Sequence, residues 1–346
     1  MREQIYNINV VAKEKLPSPK ALKSTLPLSK VARKTVLDSR SNLMSILDGK
    51  DKRLVVVVGP CSIHDTDLAL DYAHRLKALA AQVEDQFLIL MRVYFEKPRT
   101  TTGWKGLIND PNIDDSFQID KGVHIARSLL IRLNEMGLGV ATEALDPIMP
   151  QYLGDITSWT AIGARTAESQ THREMASGLS TPVGFKNGTD GSLSVAINAI
   201  KSSRQSHHFL GLNEKGRVTV YETKGNKYTH VVLRGGVKPN YDIKSIRACE
   251  KQLTKEELPQ RIMIDCSHGN TNKDYTLQPK VAQYCIDQVI KGNDSIIGIM
   301  LESNIHEGNQ KITNDLKYGV SLTDACINWE TTEKLLFKLA KRLRAK

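Results

Sequence analysis

The chain has 346 residues, 40% of them hydrophobic and 25% charged, and a net charge of +10. These are ordinary globular proportions, and no apolar run approaches the ~20 residues of a membrane span. The positive excess suits anionic ligands; with no helix-turn-helix, finger or aromatic basic sheet beside it, it does not point to nucleic acid.

Residues up to Asp51 read as an arm: a β-like stretch Ile5–Val11, a Pro/Ser/Lys segment Leu16–Lys30, then a helical pattern over Arg33–Leu47 that stops at Gly49. That helix suits a plug or an interface element. Met1–Lys20 has neither signal-peptide nor transit character, so the cytoplasm is the expected compartment. Eight short runs rich in β-branched residues follow: Leu54–Val58, Phe87–Met91, Gly139–Ala141, Thr160–Ala164, Pro182–Phe185, His230–Leu233, Arg261–Ile264 and Ile296–Leu301. Between them, helical periodicity marks Ala69–Leu79, Lys121–Met136, Ser192–Ser202, Tyr241–Leu253 and Pro279–Lys291, and Thr331–Arg344 closes the chain.

The alternation predicts an α/β fold, a single-domain (β/α)8 TIM barrel over residues 1–346, with an N-terminal extension (1–51). His208–Leu233 departs from it, reading as strand, turn, strand, turn, strand, so residues 208–230 form an inserted β-hairpin before barrel strand 6. Neither arm nor insertion is needed to close a barrel, and both are candidates for subunit pairing or an effector site. The five cysteines are an odd number without secretion signals and should be reduced thiols.

Each run is followed within a few positions by a polar side chain: Cys61, Arg92, Glu143, Arg165, Lys186, Arg234, His268 (after Asp265) and Glu302. Strand ends of such a barrel meet at one mouth, where its active sites lie. Cys61, His268, Glu302 and Asp324 then form a mixed N/O/S ligand set, suited to Mn, Fe, Co or Zn and odd for Mg. Arg92, Lys97, Arg99, Arg165, Lys186 and Arg234 exceed what two carboxylates need and imply polyanionic substrates. Gly163-Ala164 and Gly235-Gly236, beside Arg165 and Arg234, would let backbone approach a ligand. Glu143 either orders a water or holds the cations in place.

The motifs Gly59-Pro60-Cys61-Ser62-Ile63-His64-Asp65, Phe95-Glu96-Lys97-Pro98-Arg99-Thr100-Thr101, Gly163-Ala164-Arg165-Thr166, Pro182-Val183-Gly184-Phe185-Lys186-Asn187-Gly188, Arg234-Gly235-Gly236 and Ser321-Leu322-Thr323-Asp324-Ala325-Cys326 strongly resemble class I bacterial 3-deoxy-D-arabino-heptulosonate-7-phosphate (DAHP) synthases of the feedback-regulated type, over nearly the whole chain. The resemblance implies condensation of phosphoenolpyruvate with erythrose 4-phosphate, the first step of the shikimate pathway, with a divalent metal. By matching position it puts the metal on Cys61, His268, Glu302 and Asp324. Phosphoenolpyruvate falls among Arg92, Lys97, Ala164, Arg165, Lys186 and Arg234, and erythrose 4-phosphate at Arg99 and Thr100 with Asp324 nearby. Lys97, Cys61, Glu143 and His268 would be the catalytic residues.

Resemblance in Asp265–Tyr275 and Glu302–Gln310 is greatest to the tyrosine-sensitive isozyme, with phenylalanine as the alternative inhibitor. It implies an effector pocket involving Pro150, Gln151, Leu179, Ser180 and Phe209, and a homodimer or homotetramer. The 3-deoxy-octulosonate 8-phosphate synthases are the nearest rival but usually lack the arm and hairpin. A class II aldolase would offer more His ligands, and a non-catalytic basic binding protein would tolerate loss of Cys61 or Arg92.

Overall fold

The computed structural model describes residues 5–99 and 103–346. After the short helix α1 (Pro19–Thr25) and α2 (Lys30–Leu47), strands and helices alternate: β1 (Leu54–Gly59), α3 (Thr66–Val83), β2 (Phe87–Arg92), α4 (Ile119–Glu135), β3 (Gly139–Glu143), α5 (Met149–Leu153), β4 (Trp159–Ile162), α6 (Gln170–Gly178), β5 (Val183–Lys186) and α7 (Leu193–Ser203). The hairpin β6 (His208–Leu212) and β7 (Val218–Glu222) intervenes before β8 (Thr229–Leu233), α8 (Ile243–Lys255), β9 (Ile262–Asp265), α9 (Gln278–Ile290), β10 (Ile296–Glu302) and α10 (Trp329–Arg344). Eight strands close a barrel in the order β1-β10-β9-β8-β5-β4-β3-β2, and every barrel pairing is parallel.

β1 is apolar and fully buried, as a parallel strand covered on both faces must be. Its alternate residues serve two cores. Val56 and Val58 pack outward in the large cluster shared with the helices, whereas Val55 and Val57 point into the barrel with Leu88, Leu90, Tyr94, Trp159, Met263 and Met300. Leu43, Ile46 and Leu47 of α2 join this inner cluster and so plug the barrel floor. Side-chain caps fix where helices begin: Asp65 accepts from the Asp67 and Leu68 N–H groups, and Asp242 from those of Lys244 and Ser245.

Two departures from expectation lie in the arm. Ile5–Val11 is not a strand; the Val10 N–H donates to the Asn7 carbonyl at 3.1 Å, and Ile5, Tyr6, Ile8 and Val11 face solvent. Among the described residues no strand pairs with it. Within the Pro/Ser/Lys segment, Ser18 caps α1 and Pro19 opens it. No helix among the described residues is long and apolar enough to cross a membrane.

Candidate active site

Cys61 lies two residues past β1, where Gly59 makes room: a Cβ there would come within 2.8 Å of the Arg92 carbonyl oxygen. Glu302 ends β10, next to β1 in the barrel, with its backbone pinned to the buried Gln278, whose side chain accepts from the Glu302 N–H (2.8 Å) and donates to its carbonyl (3.0 Å). Asp324 comes from the loop after β10. One ligand atom from each of Cys61, Glu302 and Asp324 lies within 4.8 Å of the others.

His268 completes the group from the β9 side. Its Nε2 is 3.8 Å from Glu302 Oε1 and 3.9 Å from Asp324 Oδ2, while Nδ1 is 3.0 Å from Asp265 Oδ2. The residue sits in the left-handed region at φ 54°, which turns its ring back over the strand end. His268 and Lys186 hold the Asp265 carboxyl well below its usual range against the upward push of burial. Nδ1 is also 2.7 Å from the Ser267 hydroxyl, which itself donates to Asp265 Oδ1 at 2.7 Å, so Nδ1 is held on the Asp265 side and Nε2 is the nitrogen that faces Glu302 and Asp324.

Burial, reinforced by Glu302, pushes the Cys61 thiol up. Burial also pushes the Glu302 carboxyl up, yet His268, Arg92 and Lys97 together bring it below its ordinary value. A thiol and two carboxylates within 4.8 Å of one another, with an imidazole 3.8 and 3.9 Å from the two carboxylates, suit a first-row divalent ion, since ligand atoms at ~2.0–2.3 Å from one centre lie roughly 3–4 Å apart.

Cations ring the same spot. The buried Arg92 donates to Glu302 Oε1 at 2.9 Å and to the carbonyls of Pro60 (3.1 Å) and Cys61 (3.2 Å). Lys97 Nζ lies 3.1 Å from Cys61 Sγ, and the buried Lys186 donates to Asp265 at 2.9 Å. Arg234 is half-buried, its backbone N–H donating to the Asn187 side chain at 2.8 Å beside Lys186. Arg165 and Arg99 are exposed at the rim, and Ala164 is half-buried. Thr100 lies outside the described residues.

Two of the glycines here are also required by protein groups. A Cβ on Gly235 would sit 2.3 Å from the Gly269 carbonyl carbon, so the Gly235-Gly236 turn lets the Arg234 and His268 loops touch. At Gly163 the close neighbour is Glu143 Oε1, 2.5 Å from a built Cβ. That oxygen is buried and has no hydrogen-bond partner among the described residues.

Several participants carried no sequence signal. Asp265, Ser267 and Gln278 hold ligand groups in place, and Tyr94 stacks on Arg92 with its ring centroid 3.6 Å from Cζ. Glu96 is buried beside Asp146, and burial followed by that charge pushes its carboxyl up to about 8. On the flank of the barrel, Pro150, Gln151, Leu179, Ser180 and Phe209 all line one cavity of about 910 Å³ between α5, α6 and the hairpin.

The model of the DAHP synthetase I family matches residues 27–337. The chain belongs to that family. It is 55% identical over 345 residues to the Tyr-sensitive phospho-2-dehydro-3-deoxyheptonate aldolase of Escherichia coli K12, covering 99% of this chain and 97% of the relative. Identity to the Phe-sensitive enzyme of the same organism is 51%, over 96% of each. A solved phospho-2-dehydro-3-deoxyheptonate aldolase from Francisella tularensis SCHU S4 superposes with a TM-score of 0.95 at 47% identity, covering 97% of this chain and 99% of that one. Membership of the DAHP synthetase I family sets the reaction: phosphoenolpyruvate, erythrose 4-phosphate and water give DAHP and phosphate, the first step of the shikimate pathway, under feedback by aromatic amino acids. The family is metal-dependent, and the four-ligand cluster is the candidate metal site.

Proposed function

We propose that the strand-end cluster is the reaction centre, with the roles that its geometry and the family resemblance assign. The observation that carries this reading is the convergence of Cys61, Glu302 and Asp324, with His268 against the two carboxylates, directly beside Arg92, which donates to Glu302. These four hold a divalent ion from the Mn, Fe, Co and Zn group, which supplies Lewis acidity toward the aldehyde of erythrose 4-phosphate.

The protein's own groups do the rest. Arg92 takes the carboxylate of phosphoenolpyruvate; Arg165 and Arg234 take its phosphate with help from the Ala164 backbone, and Lys186 adds charge. Arg99 and Thr100 hold the phosphate of the second substrate, and Asp324 borders it. C3 of phosphoenolpyruvate attacks the aldehyde carbon, water adds at C2, and phosphate leaves by C–O cleavage. Glu143, with a buried oxygen that has no partner among the described residues, orders that water. Lys97, between the two substrates and 3.1 Å from Cys61 Sγ, handles the proton.

The flank cavity takes the effector, and tyrosine is favoured because greater identity is to the Tyr-sensitive relative. The arm (1–51) and the hairpin serve regulation and assembly into a homodimer or homotetramer: Ile5, Tyr6, Ile8 and Val11 on one, and Leu210, Val218 and Val220 on the other, leave apolar surface in water. Five free, buried thiols suit a reducing cytoplasm.

The test is phosphate release. It should require both substrates, stop with a chelator and return with Mn. Full activity in a Cys61→Ala, His268→Ala double variant would overturn the metal assignment.

A further inference from the structure

Three acceptors anchor one edge of the Arg92 guanidinium: Nε donates to the Pro60 carbonyl, and Nη2 to the Cys61 carbonyl and Glu302 Oε1. Among the described residues Nη1 has no acceptor. The flat face of the group is covered, because the Tyr94 ring lies beneath it with the centroid 3.6 Å from Cζ. Tyr94 is two residues further along the same chain direction, so both side chains project to the barrel interior. Val55, Leu88, Leu90 and Met300 share the inner cluster with Tyr94, which is 1% exposed. A ring so confined cannot turn aside, and a guanidinium stacked on it keeps one plane.

We propose that Tyr94 is a positioning residue for the condensation: its ring face fixes the plane of Arg92 so that the free Nη1 edge meets the carboxylate of phosphoenolpyruvate in line. Two physical effects act together. The ring's negative face attracts the cation where no water screens it, and the hydrogens left on Nη1 point at a carboxylate oxygen only while the guanidinium keeps its plane. Lys97 Nζ, 6.0 Å from the same centroid, lies at the outer limit of such attraction, so the effect belongs to Arg92. The inference rests on the reading that Arg92 receives that carboxylate.

The test replaces Tyr94 in the full chain by Phe and by difluoro- and tetrafluorophenylalanine, which drain the ring face of negative charge while leaving its shape nearly constant. Phe should keep the KM for phosphoenolpyruvate close to the parent value. Successive fluorination should raise it stepwise, reaching roughly tenfold, the size of a desolvated cation–ring contact. The KM for erythrose 4-phosphate should stay put throughout. A KM for phosphoenolpyruvate that is flat across the series, or as poor with Phe as with tetrafluorophenylalanine, overturns the assignment. Arg92→Lys separates the two readings. If it raises that KM while the fluorine series is flat, the role of Tyr94 alone fails; if it leaves that KM unchanged, both fail.

Discussion

Asp265 and His268 meet at 3.0 Å through Oδ2 and Nδ1, and the same carboxylate oxygen lies 2.9 Å from Lys186 Nζ. One buried acid thus orients a ring toward the candidate metal site and neutralises a cation of the substrate group. Asp265→Asn keeps an acceptor but loses the charge. Affinity for Mn should fall by roughly 10- to 100-fold, as when a group that orients a metal ligand is replaced. Titrating the metal-stripped protein with Mn checks this, and undiminished affinity would count against the orienting role.

Glu96 predicts a pH effect of unusual sign. Its carboxyl stays protonated in the fold up to about 8, against an ordinary value of 4.5, because it is buried beside Asp146. Between those values the unfolded chain sheds the proton while the fold keeps it, so rising pH favours unfolding, and the penalty levels off above the higher value. Glu96→Gln removes the group. The variant's melting temperature relative to the parent should climb from pH 5 to pH 8; a difference that does not change with pH sinks the idea.

Arg127 ties the arm to the barrel. It is 1% exposed, donates to both oxygens of Asp155 at 2.8 and 2.9 Å, and also donates to the carbonyls of Leu26 and Tyr152. Arg127→Ala removes the donor from all four acceptors, leaving Asp155, among the described residues, only Lys23 at 3.6 Å and water. The loss should approach about 3 kcal/mol, the lower end for breaking a buried pair, because Asp155 keeps some contact with water. Chemical denaturation measures it.

For the flank cavity, isothermal titration with tyrosine, phenylalanine and tryptophan should give its largest heat with tyrosine. Heat from phenylalanine alone would reassign the effector. Phe209, stacked on Tyr221 at 5.8 Å within the lining, is the aromatic anchor on the hairpin side. Phe209→Ala should raise the tyrosine concentration for half-inhibition by roughly tenfold or more.

Light scattering after size exclusion should show a dimer or tetramer. Deleting residues 1–11 should shift the distribution toward smaller species, since that segment carries exposed Ile5, Ile8 and Val11. A parent protein that elutes as a monomer would remove the assembly role from the arm.

Much of the candidate site was legible because a barrel converts strand ends into neighbours. Once eight runs are recognised, Cys61, Arg92, Lys186, His268 and Glu302 need no further information to be brought together. What could not be read is the support. Asp265 looked like one more strand residue, Gln278 like a helix start, and Tyr94 and Glu96 like ordinary members of the segment after β2; their work depends on distances of about 3 Å across the mouth. At Gly235-Gly236 the same distances add a protein partner, the Gly269 backbone, that no local pattern announces. Ile5–Val11 has strand composition without a strand beside it, and composition cannot supply a partner.

The plug made by Leu43, Ile46 and Leu47 joins the chain's beginning to its end. These side chains share one apolar cluster with Val55 and Val57 from the first barrel strand and with Ile297 and Met300 from the last. Their burial is therefore incomplete until β10 has been made and has paired with β1, and no nascent fragment ending before Ile296 can cover them. A growing chain carries that sticky face through almost the whole of its synthesis, exposed to association until the last barrel strand arrives.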